Sequence, residues 1–180
     1  MVRRTAFLSI LTALSSVMYT VENFLPFPVP FGRWGFSNSV VLLVASEAGL
    51  LDALIVSSVK SIMGSLFSGR FLSPSFLTGL SGAVSAAVVE SLLARFGFGF
   101  LGLSLAGSFV SNFAQLMVIS LLLKSTKTFL LFNVMVGLGM ISASVNAFIA
   151  SRMGGIVFEN YSGFFFTKEK GADETSGNRV

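Results

Sequence analysis

Neither cysteine nor histidine occurs in this chain of 180 residues. Disulfides, thiol nucleophiles, imidazole acid–base chemistry and the usual zinc or copper ligand sets are excluded by inventory alone. Charge is nearly as scarce: Asp, Glu, Lys and Arg make up 11% of the chain, against about 25% in an ordinary soluble domain. No two acids in the apolar part lie close enough in sequence for a magnesium cluster. No metal, cofactor or catalytic apparatus is therefore expected, and the chain reads as a non-enzyme. No basic stripe with interleaved aromatics marks a nucleic-acid surface either. What fills the chain is apolar: 53% of residues are hydrophobic and 20 are Phe. At roughly 20 residues per span, the length accommodates an all-α integral membrane bundle of six transmembrane helices. Residues 1–153 form that domain, and 154–180 form an interfacial segment with a disordered polar tail.

The stretch Lys60 to Phe76, KSIMGSLFSGRFLSPSF, organises the reading. It places a lysine inside an apolar run and follows it with glycines, Arg70 and a Ser-Pro-Ser turn. On a helix from Leu50 to Ser68, residues Ser57, Lys60, Ser61, Gly64 and Ser68 share one small, polar face. A charge facing hydrocarbon costs roughly 3 kcal/mol or more. That face must therefore look into protein or water, which predicts a polar pocket inside the bundle.

The first span, to about Phe24, resembles a secretory signal because Arg3 and Arg4 precede an apolar core, but it lacks an Ala-x-Ala cleavage site and is read as retained. Thr5, Ser9 and Ala13 repeat every four residues, a spacing that lets another helix approach closely, within the bundle or from a partner. Glu22 to Asn38 holds three of the four prolines and the only tryptophan. Pro26, Pro28 and Pro30 stiffen this loop, so Arg33 and Trp34 become a pocket wall or an interfacial anchor. A short second helix, Ser39 to Ala48, leads through Glu47, Gly49 and Asp52 into the Lys60 helix. The fourth span, about Ser75 to Leu93, carries Glu90, placed at the membrane interface because it lies near Arg95. On the fifth, about Phe98 to Leu123, Asn112 and Gln115 are one turn apart and need hydrogen-bond partners, from a ligand or a neighbouring helix. The sixth, about Phe129 to Ser151, has Ser142 beside Asn146 and stops at Arg152.

With the amino terminus in the cytoplasm, Arg33, Arg70, Lys124 and Lys127 lie outside, where the positive-inside rule disfavours cations. Their use would be a mouth that attracts an anionic solute. Six short hydrophobic helices, the small-residue ladder, the loop running into GRWGFSNSV, the block GSLFSGRFLSPSF and SNFAQ on the fifth helix together resemble the Gx transporter family, also called heptaprenyl diphosphate synthase component I. That family is similar to the substrate-binding S components of energy-coupling factor (ECF) transporters. The resemblance covers about Arg4 to Arg152 and departs from the family at Ser111, where a histidine is usual. It implies a solute-capturing subunit in the cell (inner) membrane with cytoplasmic termini, docked through Thr5, Ser9 and Ala13 on a coupling protein driven by two ATPases. Solute would be held by Arg33, Trp34, Asn38, Lys60, Arg70, Ser73, Ser75, Asn112, Gln115 and Asn146. The rival expectation is a non-catalytic membrane scaffold or accessory subunit. Prenyl elongation itself needs aspartate-rich motifs to hold magnesium on a diphosphate, and the only aspartates are Asp52 and Asp173.

Overall fold

The computed structural model describes residues 2–26 and 34–165, with backbone alone for 2–3 and 156–165. Six helices follow in order: α1 (Val2–Glu22), α2 (Asn38–Glu47), α3 (Leu50–Phe67), α4 (Pro74–Ala94), α5 (Phe100–Leu123) and α6 (Phe132–Phe165), with a 3-10 turn (Thr126–Leu131) before the last. No strand occurs among the described residues. The all-α membrane bundle read from the sequence is therefore what the chain forms. Five of the helices are long and apolar enough to cross a membrane. The sixth span differs from expectation at both ends: it opens as the 3-10 turn, and α6 runs on past Arg152 to Phe165.

The odd element is α2. Its 10 residues make a rod of about 15 Å, half of the roughly 30 Å hydrocarbon core. It sits inside the bundle. Residues Ser39 to Ala45 are buried without interruption, as expected for a helix that is apolar all round, and α2 touches all five long helices. Those five pack in the order α1, α3, α4, α5, α6, with α4 against α5 the most extensive contact. Gly49, at φ 92°, takes the left-handed backbone that turns the chain from α2 straight into α3, a conformation that costs a residue with a Cβ.

The distribution of side chains fits hydrocarbon as solvent. Large apolar groups such as Ile10, Leu51, Ile55, Leu121, Ile141 and Phe148 point outward, while Ser15, Ser57, Ser61, Ser65, Lys60 and Glu90 are buried. In lipid, apolar burial gives little advantage, so small residues and hydrogen bonds hold helices together. Gly64 shows this on α3: a Cβ there would run into the Tyr19 ring and reach within 3.1 Å of the Ser16 carbonyl. Close approach of α1 to α3 requires the glycine.

Candidate functional site

The polar groups at the centre of the bundle form two clusters that share one chamber. The first is a hub at the start of α2. Its Ser37 is bound through all three of its polar groups. The N–H donates to the Glu22 carboxylate, the carbonyl accepts from Ser15 Oγ at 2.9 Å, and Oγ accepts from Lys60 Nζ at 3.3 Å. Lys60 Nζ also donates to Asn38 Oδ1 at 2.5 Å. The Glu22 carboxylate thus sits at the N-terminus of α2, where a negative charge complements the helix dipole. Lys60, fully buried, finds the protein partners that an ammonium in a membrane requires.

Segment 34–37 continues from this hub across to α6. Ser142 Oγ donates to the Trp34 carbonyl, and Asn146 Nδ2 donates to the Gly35 carbonyl at 3.0 Å. Trp34 Nε1 donates to the Pro26 carbonyl at 3.1 Å, and its ring stacks on Phe36 with centroids 6.1 Å apart. Gly35, at φ 75°, provides the left-handed residue that folds this strap back over the interior.

The second cluster is a wall made by α4, α5 and α6. From α4 come the small residues Gly79, Ala83 and Ala86 and the carboxyl of Glu90. Ser104, Ser108, Ser111, Asn112 and Gln115 come from α5, and Gly139, Ser142 and Asn146 from α6. Glycines make the room. A Cβ on Gly107 would strike the Glu90 carboxyl, one on Gly82 would strike Ser111 and Gln115, and one on Gly139 would strike Asn112 and Ser108. Several wall groups bind within the protein: Asn112 Nδ2 donates to the Met135 carbonyl at 2.9 Å, Ser104 Oγ to the Ala143 carbonyl at 2.8 Å, and Gln115 Nε2 to Ser111 Oγ at 3.0 Å. Glu90 Oε2 and Asn146 Oδ1, both buried, have no hydrogen-bond partner among the described residues.

Hub, strap and wall line a chamber of about 50 Å³, room for a few water molecules at roughly 10–15 Å³ each. Trp34, Asn38, Asn112, Gln115 and Asn146, expected from sequence, line it. Lys60 does not; it stands behind Asn38 and Ser37, which do. Arg70, Ser73 and Ser75 are placed elsewhere, at the turn from α3 into α4. Arg70 is exposed, and Ser73 caps α4, accepting from the Phe76 N–H at 3.2 Å and donating to the Arg70 carbonyl at 2.6 Å. The Ser-Pro pair there has the N-cap and first-turn chemistry of a helix start. Arg33 lies outside the described residues.

Glu90 is a correction. It is 2% exposed, lines the chamber and interacts electrostatically with Lys60, so it does not sit at the interface. Its place was readable from spacing: Gly79, Ala83, Ala86 and Glu90 recur at four, three and four residues, one small-residue helix face. Tyr19, Glu22 and Ser37 also line the chamber without having been singled out.

Thr5, Ser9 and Ala13 border a separate, mostly apolar groove of about 670 Å³ between α1 and α3, faced by Ile55, Val59 and Met63. Ser9 Oγ donates to the Thr5 carbonyl one turn back, and Thr12 Oγ1 to that of Leu8. The Ser9 and Thr12 donors are thus spent on their own helix, leaving a smooth face. Arg4 and Asp52 pair across the end of the groove.

A family model described as heptaprenyl diphosphate synthase component I matches residues 11–153. No curated protein and no solved structure matches the chain.

Proposed function

We propose, from the premise that this chain belongs to the heptaprenyl diphosphate synthase component I family, that it is the membrane-embedded solute-binding subunit of an ECF-type importer. The observation that carries the reading is the chamber. A bundle with an apolar exterior has gathered hydroxyls, amides and carboxyls around a small interior space, and polar groups that deep are costly unless they are used. The strap 34–37 roofs the chamber and is the natural gate, because it is held by a few hydrogen bonds and not by a packed helix. Energy would come from partner ATPases, since the sequence has no phosphate-binding Gly-rich loop. The smooth face of Thr5, Ser9 and Ala13 would dock the coupling protein through close helix packing. The protein would reside in the cell membrane with cytoplasmic termini.

A second reading rests on the family's description: an accessory membrane component of a prenyl diphosphate synthase. Among the described residues no group of three acids could hold a metal, so prenyl transfer would belong to another component. One experiment separates the two. The tagged full-length chain is purified from its native membrane in mild detergent and its stoichiometric partners are identified, beside an Ala13→Trp variant. A transmembrane coupling protein with ATPases, lost in Ala13→Trp, supports the importer. A soluble synthase component retained in both overturns it.

A further inference from the structure

Two of the chamber's acceptors stand out. Glu90 Oε2 and Asn146 Oδ1 are both acceptors, both buried, and both without a donor among the described residues. Native proteins leave few such groups, and each calls for a partner. The charges agree. Of the buried charged residues described, two are carboxylates, Glu22 and Glu90, and one is a cation, Lys60. Lys60 is already committed to Ser37 and Asn38, and Glu22 accepts the Ser37 N–H. The sequence expectation of an anion drew on Arg33, Arg70, Lys124 and Lys127 at the mouth. Lys60 does not line the chamber, and Arg70 is exposed at the α3–α4 turn.

We infer that the chamber binds a small organic cation through its protonated amine, with the ammonium between Glu90 and Asn146. A primary ammonium offers three N–H donors and no acceptor. Glu90 Oε2 and Asn146 Oδ1 take two, and the serine hydroxyls that line the same space, such as Ser108, take the third. Glycines 82, 107 and 139 keep the polar side chains upright around that space. A volume of about 50 Å³ restricts the closed state to a compact solute. Trp34, which borders the chamber, is the chain's only tryptophan, so binding has a built-in fluorescent reporter.

This inference rests on the solute-binding reading and is tested independently of the partner capture. Detergent-purified full-length protein is titrated with ethylammonium chloride, sodium acetate and sodium chloride while Trp34 emission is followed. Ethylammonium is expected to give a saturable change that the other two do not. Glu90→Gln should weaken it by about thirtyfold or more, the usual cost of removing one member of a buried charged contact. Asn146→Leu should weaken it by about tenfold, with Ser73→Ala, remote from the chamber, unchanged. Saturation by acetate would overturn the inference in favour of an anion. An equal response to sodium chloride would overturn it in favour of an inorganic ion, and silence from all three probes would overturn it outright. None of these outcomes bears on whether a coupling protein is captured.

Discussion

At the hub all three polar groups of Ser37 have partners within the protein, whereas the wall of α4, α5 and α6 holds two buried acceptors, Glu90 Oε2 and Asn146 Oδ1, without a hydrogen-bond partner among the described residues. The two regions lie within one bundle and draw on the same residue types, so burial alone does not separate structure from function here. Saturation does. A fully satisfied buried network rigidifies the fold around it, and this one fixes how α2 enters the bundle. A partly satisfied network is poorly suited to that task and well suited to receiving something from outside. Lys60, the most conspicuous residue in the sequence, thus belongs to the frame of the site, and Glu90 belongs to the site.

The largest effect that could break this comparison is in the hub. Lys60→Met removes the only buried cation described and takes from Glu90 the cation it interacts with, a change that typically costs about 3–5 kcal/mol. Thermal or denaturant unfolding in detergent should show that loss. Adding Glu90→Gln should restore a substantial part of it, because the two residues interact and the second carboxylate no longer needs the cation. A Lys60→Met protein as stable as the parent, with altered ligand binding only, would move Lys60 from the frame to the site.

Glycine substitutions give a smaller contrast between the same regions. At Gly64 a new Cβ meets the Tyr19 ring and the Ser16 backbone carbonyl, neither of which can yield without parting α1 from α3. At Gly107 it meets the Glu90 carboxyl, the end of a side chain that can rotate into the chamber. Gly64→Ala is expected to destabilise by about 1–3 kcal/mol, and Gly107→Ala by less while displacing Glu90. Equal losses at the two glycines would mean that the wall is as rigid as the hub.

How legible this was from the sequence follows from where each residue sits. Asn38, Asn112, Gln115 and Asn146 stand out because amides inside or beside apolar runs demand partners, and the structure brings all four to one chamber. Glu22 and Glu90 did not stand out, because they lie near the ends of apolar runs where the interface is the simpler assignment. The burial of Glu22 depends on a contact no local pattern encodes, α2 tucked inside the bundle; that of Glu90 was signalled only by the small-residue face it shares on α4, and Gly107 of α5 opens space for its side chain. Arg70, Ser73 and Ser75 were grouped with Lys60 by proximity in sequence, and the α3–α4 turn sets them apart from the chamber, with Arg70 exposed and Ser73 and Ser75 half-buried. The helix count and the apolar periodicity were readable throughout. The interior position of α2 was signalled only by its shortness and its apolar character on every face.

Surface charge sets the scale against which the interior is measured. Arg4 and Asp52 pair with the Arg4 side chain 54% exposed, so Arg4→Ala should change stability by well under about 1 kcal/mol, and by less at high salt. A loss comparable to that of Lys60→Met would mean that this pair clamps α1 to α3 and is part of the frame.

The smallest expected change in stability is at Glu90 itself, and it is the sharpest test of the comparison. If the wall is kept incomplete for a ligand, the empty protein gains nothing from the second carboxylate, whose Oε2 is unpartnered. It carries the desolvation of a buried carboxyl with only the Lys60 interaction in return. Replacing such a group by a neutral one of similar shape is often neutral or stabilising. Glu90→Gln should therefore unfold at the parent's midpoint or slightly above it when no ligand is present. Saturating ethylammonium should raise the midpoint of the parent by mass action and leave that of Glu90→Gln unmoved. Marked destabilisation of the empty variant would show that Glu90 and Lys60 hold the fold together as a pair, and the wall would then be frame as well.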